Sequence, residues 1–393
     1  VQNNSRTASA SQPRWALWQL GFRPFYLLAS GFAAISIALW AAQYGGWLPH
    51  SYLNGPVWHA HEMLYGFTLA VIAGFLFTAV RNWTNRPTPT GGSLMAIALL
   101  WLAGRVLILT PLAWLSAVVN AAFPIAVAIG IGVPLLRSGN RRNYFFIGLL
   151  TAIGIGSLYV HAALILSWPT PSWVGIRTGL DIVLLIMVVM AGRVVPMFTT
   201  NAIPGARSRR NVLVERASIA VVIALAIFDV LQIEGTALVA LLLVAVLAHG
   251  ARWWLWAPVK TLRNPLVWVL HAAYAWILIY FLLRATAVLQ LTASALATHA
   301  FTVGAIGGLT IGMMTRTAKG HTGRPLLADR ADTAAYVLIF AAAGLRVFGP
   351  MLWPDAYSWW VLVSAAFWST GFGLYAVHYW NPLTRPRADG APG

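Results

Sequence analysis

Apolar runs of about 20 residues, each long enough to cross a hydrocarbon core, follow one another along this chain almost without interruption. Twelve can be marked, at 24–43, 57–80, 92–110, 114–136, 144–166, 175–197, 213–232, 235–251, 264–289, 293–315, 332–352 and 357–379. The pairs within 92–136 and 213–251 are the most closely spaced. No long polar stretch separates any two, so residues 1–393 read as one membrane domain with a polar lead at 1–23 and a tail at 381–393. Only 9% of residues are charged and 59% are hydrophobic, far from the roughly 25% charged of soluble domains. The expected fold is all-α, a polytopic bundle of about twelve transmembrane helices. Val1–Gln19 lacks an apolar core and a small-residue cleavage site, so it is not expected to be a signal peptide.

The net charge of +17 would suit nucleic acid, but its distribution points elsewhere. Basic residues occupy alternate connections only. They are Arg6, Arg14 and Arg23; Arg81 and Arg86; Arg137, Arg141 and Arg142; Arg207, Arg209, Arg210 and Arg216; Arg252, Lys260 and Arg263; Arg316, Lys319, Arg324 and Arg330; and Arg385 and Arg387. The connections near 44–56, 111–113, 167–174, 232–235, 290–291 and 353–357 hold no Lys or Arg. This is the positive-inside rule repeated along the chain. It predicts both termini in the cytoplasm and supports the count of twelve, because one missed helix would invert every later loop. The expected surroundings are membrane lipid, not nucleic acid.

Cysteine is absent, which removes iron–sulfur clusters, c-type haem attachment and thiolate copper sites. Gly-rich phosphate loops and dinucleotide fingerprints are also missing. Any metal must rest on histidine, with Met, Tyr or carboxylate in support. His59-Ala60-His61-Glu62 opens an apolar segment with no further charge until Arg81. Ionisable groups inside a bilayer are costly and mark functional sites, and neutral imidazole is a ligand for haem iron and copper. By helix rise, His59, His61, His161 and His299 fall in one outer layer of the membrane. Arg105, Asp181, Arg284 and Arg346 share that half. His271 lies near the middle, Arg193 and Arg316 deeper, and His321 in a cytoplasmic loop.

Each candidate has a structural alternative. His161 can be a headgroup-level polar residue, and His249 and His378 interfacial anchors at helix ends. Arg284 and Arg346 can snorkel outward; Arg105 can do so less easily, and bridging a porphyrin propionate is an alternative role for it. On a helical wheel Val303, Ile306 and Thr310 share the His299 face. Gly304, Gly308 and Gly312 form a small-residue ridge about 140° away, suited to close helix packing. His59 and His61 are about 200° apart on a helix of 3.6 residues per turn, so they would serve different cofactors. Glu62 falls on the His59 side as a partner that could fix an imidazole tautomer. His271 shares a face with Tyr274 and Trp268, compatible with a second metal, a proton route or aromatic packing.

Six motifs in order resemble the NnrS family of bacterial membrane proteins. They are Gly21-Phe22-Arg23-Pro24-Phe25, Trp58-His59-Ala60-His61-Glu62-Met63, Gly192–Phe198, Leu270–Trp276, His299–Gly304 and Met314-Thr315-Arg316 with Gly320–Pro325. The resemblance runs from residue 20 to at least 325 and implies a twelve-helix inner-membrane protein carrying haem b and copper. It implies a role in nitric oxide metabolism, in denitrification or nitrosative-stress defence. It also invites comparison with the haem–copper oxidase subunit I core, whose low-spin haem is held by histidines of the second and tenth helices. Here His59 or His61 is on the second span and His299 on the tenth. That comparison breaks at the sixth and seventh spans, which carry no histidine, so a second metal would need His271, His161 or the remaining member of the His59/His61 pair. The functional expectation is a haem- and copper-binding protein that meets nitric oxide or another diatomic ligand, with reductive turnover fed by a periplasmic electron donor. The alternative is a transporter or a haem/copper delivery protein with transient His ligation.

Overall fold

In a computed structural model, which describes residues 15–47, 52, 53 and 55–391, the chain is all-helical. Twelve long helices are present among the described residues. They are α1 (Phe22–Tyr44), α2 (Gly55–Thr84), α3 (Gly91–Leu107), α4 (Ala113–Ser138), α5 (Phe145–Ile165) and α6 (Trp173–Ala202). There follow α7 (Val212–Val230), α8 (Thr236–Leu255), α9 (Pro265–Val288), α10 (Ser294–His321), α11 (Arg330–Leu352) and α12 (Tyr357–Thr384). Ten are long and apolar enough to cross a membrane. The other two fall in the closely spaced pairs: α3 has only 17 residues, and α7 carries Glu215, Arg216 and Asp229. Both charges of α7 that face inward are matched, Glu215 by Arg252 and Asp229 by Arg284.

Helix ends differ from the apolar runs chiefly at the basic end, where α2, α6, α10 and α12 continue past the hydrocarbon-length core. His321 therefore closes the last turn of α10 instead of lying in a loop. The C-terminal tail begins after Thr384, not at 381, and α1 begins inside the expected lead, at Phe22. Residues 1–14 of that lead lie outside the described residues.

Hydrogen bonds tie the basic connections together at one end of the bundle. Ala16 N–H bonds Thr384 O at 2.7 Å, Gly91 N–H bonds Trp18 O at 2.8 Å and Arg209 N–H bonds Leu255 O at 2.9 Å. Asn140 reaches Trp83 O, Arg193 reaches Asn143, and Ala388 N–H reaches Thr322 O. The connections poor in Lys and Arg meet at the other end, through Tyr44–Ser358 and Tyr52–His161 contacts.

Helices α2 and α10 form the centre: 83% and 72% of their apolar windows are buried, against 28% for α8. The glycine ridge of α10 explains its close approach to α9. A side chain at Gly308 would meet Ala273, and one at Gly312 would meet Val269 and Leu270. Large apolar side chains such as Leu99, Val118, Leu247 and Val377 point outward, as a lipid-facing surface requires.

Candidate metal centre

Both central helices change their winding directly after a histidine. Residues Glu62–Thr68 follow His61 as a π-helical stretch in α2, and Ala300–Gly307 follow His299 as another in α10. Such π turns sacrifice regular hydrogen bonding and are frequent at functional sites. They lie at the same level of the bundle, near its charge-poor end.

On one face of α2, His59 meets His299. Their ring centroids are 6.3 Å apart and the rings are within 11° of parallel. The two rings are too far apart for contact stacking. Two metal–imidazole bonds of about 2.0–2.1 Å, with the distance from nitrogen to ring centre on each side, would span a gap of that size if the ring nitrogens faced each other. His299 Nδ1–H donates to Ala295 O at 2.7 Å, which leaves Nε2 as the nitrogen with a free lone pair. A metal-binding histidine is oriented in the same way, through its other ring N–H. His59 stacks on Trp40 at 5.0 Å, and its buried Nδ1 has no partner. Arg346 of α11 lies near enough to act electrostatically on both imidazoles. Its Nη2 donates to Tyr357 OH at 2.9 Å, while its buried Nη1 has no partner.

On the opposite face, His61 meets His161 of α5, with Nε2 atoms 3.1 Å apart and both side chains fully buried. Donor and acceptor roles follow from the outer partners. His61 Nδ1–H donates to Glu62 Oε1 at 2.9 Å, so its Nε2 is an acceptor. His161 Nε2–H supplies that proton, and His161 Nδ1 accepts from Tyr52 O–H at 2.8 Å. Glu62 also accepts from Arg105 at 2.5 Å. Arg105 in turn donates to Asn120, which is held by Ser116 O at 2.9 Å. Tyr52, His161, His61 and Arg105 Nη1 thus point their donors toward the Glu62 carboxylate, while Asn120 accepts from Arg105 and donates outward to Ser116 O.

The structure brings some of the residues marked in the sequence together and separates others. The roughly 200° between His59 and His61 does divide them between two pairs. Glu62, however, lies with His61 and not with His59, because its carboxylate swings back to the adjacent imidazole and to α3. Arg105 belongs to the same network and is not directed at the His59/His299 pair. His161 is buried against His61 instead of sitting at a headgroup boundary. His271 and Tyr274 do not form one cluster with Trp268. His271 Nε2 bonds Thr199 Oγ1 at 2.8 Å, while Tyr274 O–H donates to His249 Nδ1 at 2.7 Å and accepts from Arg252. Trp268 packs on Tyr336 and Phe340. Spaced three residues apart, these side chains are each offset by about 60°, enough to send them to different neighbours.

The remaining motif residues have architectural partners. Arg193 donates to Asn143 at 2.7 Å and sits over the rings of Trp83 and Phe145. The Arg316 guanidinium lies 3.7 Å from the centre of the Phe198 ring, joining two of the sequence motifs by a cation–π contact. His249 is not interfacial: both its ring nitrogens are bonded and the side chain is fully buried. Pro196 has no N–H, which frees Gly192 O, and Arg210 occupies it;. Four residues of the two histidine sites carried no earlier functional reading: Tyr52, Asn120, Ser116 and Trp40. Asn120 was visible as the one amide in the apolar α4, but nothing marked Tyr52.

The family model for NnrS protein matches residues 16–387. The chain belongs to the NnrS family. Membership makes it a multi-pass membrane protein connected with nitric oxide. No curated protein matches the chain.

Proposed function

We propose that this NnrS protein is a bacterial inner-membrane haem and copper protein that handles nitric oxide on the periplasmic side of the bilayer. Haem b would be held by His59 and His299, and copper by His61 and His161. The observation that carries this reading is the near-parallel His59/His299 pair, presented by the two central helices at the start of matching π turns. The unpartnered Arg346 Nη1 suits a carboxylate such as a haem propionate, which Arg recognises as a planar fork. When bound, copper would supply a site for a diatomic ligand and the haem, held by two imidazoles, a store of electrons, so that both simple binding and reductive turnover are open to the protein.

The protein's own groups would do the rest. Glu62 holds the His61 Nδ1–H and so keeps Nε2 free to ligate. Arg105 and Asn120 fix the carboxylate. Copper would be held by the two Nε2 atoms, now 3.1 Å apart, and would take the place of the proton they share. The proton displaced from His161 Nε2 would be re-sited on Nδ1, which would then donate to the Tyr52 hydroxyl oxygen. The alternation of basic loops supports cytoplasmic termini, which turns both histidine pairs toward a periplasmic electron donor.

The test is an absorption spectrum and metal analysis of the detergent-purified protein. Stoichiometric haem with a low-spin spectrum is expected, lost in His59→Ala and His299→Ala but retained in His61→Ala and His161→Ala, which should lose copper instead. Haem retained at wild-type level and spin state in both of the first two variants would refute the assignment. Substoichiometric, readily exchanged metal would move the reading to a delivery protein.

A further inference from the structure

At the basic end, Arg23 is completely buried in the first turn of α1. Its Nη1 donates to Leu383 O at 3.1 Å and to Arg385 O at 2.8 Å, capping the C-terminal end of α12. Its Nε and Nη2 are buried and have no partner. These two N–H groups form one edge of the guanidinium, the fork that grips two oxygens of a planar or tetrahedral anion. A buried cation normally has a carboxylate, and among the described residues Arg23 has none.

The surroundings add positive charge instead of compensating it. Arg324 and Arg387 are near enough to repel Arg23, and Arg81, Arg387 and Arg23 all act on His321. Phe22 lies between, 5.5 Å from the Arg23 guanidinium and with its ring 5.6 Å from that of His321. The nearby acid, Asp389, is taken by Arg387, with bonds of 2.9 and 2.5 Å. The segment after α12 folds over this corner: Arg387 donates to His321 O at 3.3 Å and Ala388 N–H to Thr322 O at 2.9 Å. Two of the sequence motifs, Gly21–Phe25 and Gly320–Pro325, thus converge on a point that the histidine sites leave unused.

We infer that this corner is a binding site for a phosphate-like oxyanion, gripped by the Arg23 Nε/Nη2 edge under the C-terminal segment, with Arg324 and Arg81 supplying the field. The oxyanion is either free inorganic phosphate or the headgroup phosphate of an anionic lipid; both present the same oxygens to the fork. The site is independent of the metal reading, since it lies at the opposite end of the bundle from His59 and His61.

The test uses the full chain in neutral detergent. Thermal unfolding is followed during titration with sodium phosphate, against sodium chloride at matched ionic strength, and in nanodiscs of phosphatidylglycerol against phosphatidylcholine. A saturable rise in Tm with phosphate identifies the free ion; a rise with phosphatidylglycerol alone identifies the lipid. Arg23→Lys keeps the charge but not the fork and should abolish either response. Arg324→Gln, which leaves the α12 cap intact, should weaken it several-fold and covers the case in which the Arg23 variant does not fold. No response of the wild type to either source, or an undiminished response in Arg324→Gln and in any folded Arg23→Lys, would overturn the site.

Discussion

Glu62→Gln separates the two histidine pairs most cleanly. The carboxylate is 1% exposed and accepts from both His61 Nδ1–H at 2.9 Å and Arg105 at 2.5 Å, through the same oxygen. Glutamine keeps the shape and one acceptor but removes the charge, leaving Arg105, itself 7% exposed, without its anion. Breaking a buried ion pair costs about 3–5 kcal/mol. The retained amide oxygen and the Asn120 contact place this variant at the lower end, about 3 kcal/mol. Loss of the carboxylate behind a ligating imidazole lowers metal affinity about 10–100-fold, equivalent to about 1.4–2.7 kcal/mol. Competition with a chromophoric copper(I) chelator should therefore show weakened copper binding, with a lowered Tm, while haem absorbance per protein stays at the wild-type level. Equal loss of haem and copper would mean that the pairs are one site. Unchanged copper affinity would remove Glu62 and His61 from the copper assignment.

His378→Ala, at the basic end beside Asp329, should leave haem content unchanged where His299→Ala loses it, as read from Soret absorbance at matched yield. Gly192→Ala would drive a methyl group into the Arg252 guanidinium and to within 3.0 Å of Glu215 Oε2, so a loss of about 1–3 kcal/mol is expected. Gly250→Ala, on α8 where the added carbon meets nothing, should instead gain about 0.5–1 kcal/mol; thermal unfolding of the pair decides. Burial pushes the Asp329 carboxyl up, but the Asp332 backbone N–H, Lys319 and His378 outweigh it and hold the group below the usual 3.8. Its contribution is therefore present above that value and lost as pH falls through the lower folded value, so the acid-side decline in Tm should shrink in Asp329→Asn. Reporter fusions in the 205–216 and 316–330 segments should read cytoplasmic; an external signal would invert the topology.

Much of the fold was legible because hydrocarbon length and alternating basic loops constrain each other. A run of apolar residues says little about its own ends, yet the parity of charge fixes how many runs there must be. The helix boundaries were less legible, since nothing in an apolar pattern says how far a helix projects beyond the lipid; α10 runs on to His321 because its polar last turns pack under the C-terminal segment. The division of His59 from His61 followed from a 100° step per residue. The position of Glu62 did not, because an adjacent carboxylate can fold back on its neighbour whatever the wheel says. Tyr52 and Arg346 reach the sites from a loop and from a distant helix, contacts between residues 109 apart in one case. No local pattern encodes those.

The π turns limit what any wheel could have told. A π stretch takes more residues per turn than the 3.6 of an α-helix, so every face downstream of His61 or His299 is rotated from its sequence-derived phase. Upstream of the turn the phase is intact, so the wheel separates His59 from His61 but misplaces Glu62, the first residue of the π stretch. The same turns tie function to the centre of the fold. α2 carries one histidine toward α10 and the other toward α5, with Ala60 alone between them in sequence. A rotation of α2 that opened the 3.1 Å His61–His161 contact to admit a metal would also move His59 against His299. Metal loading at one pair should therefore be felt at the other through a single rigid helix, without any side-chain chain linking them.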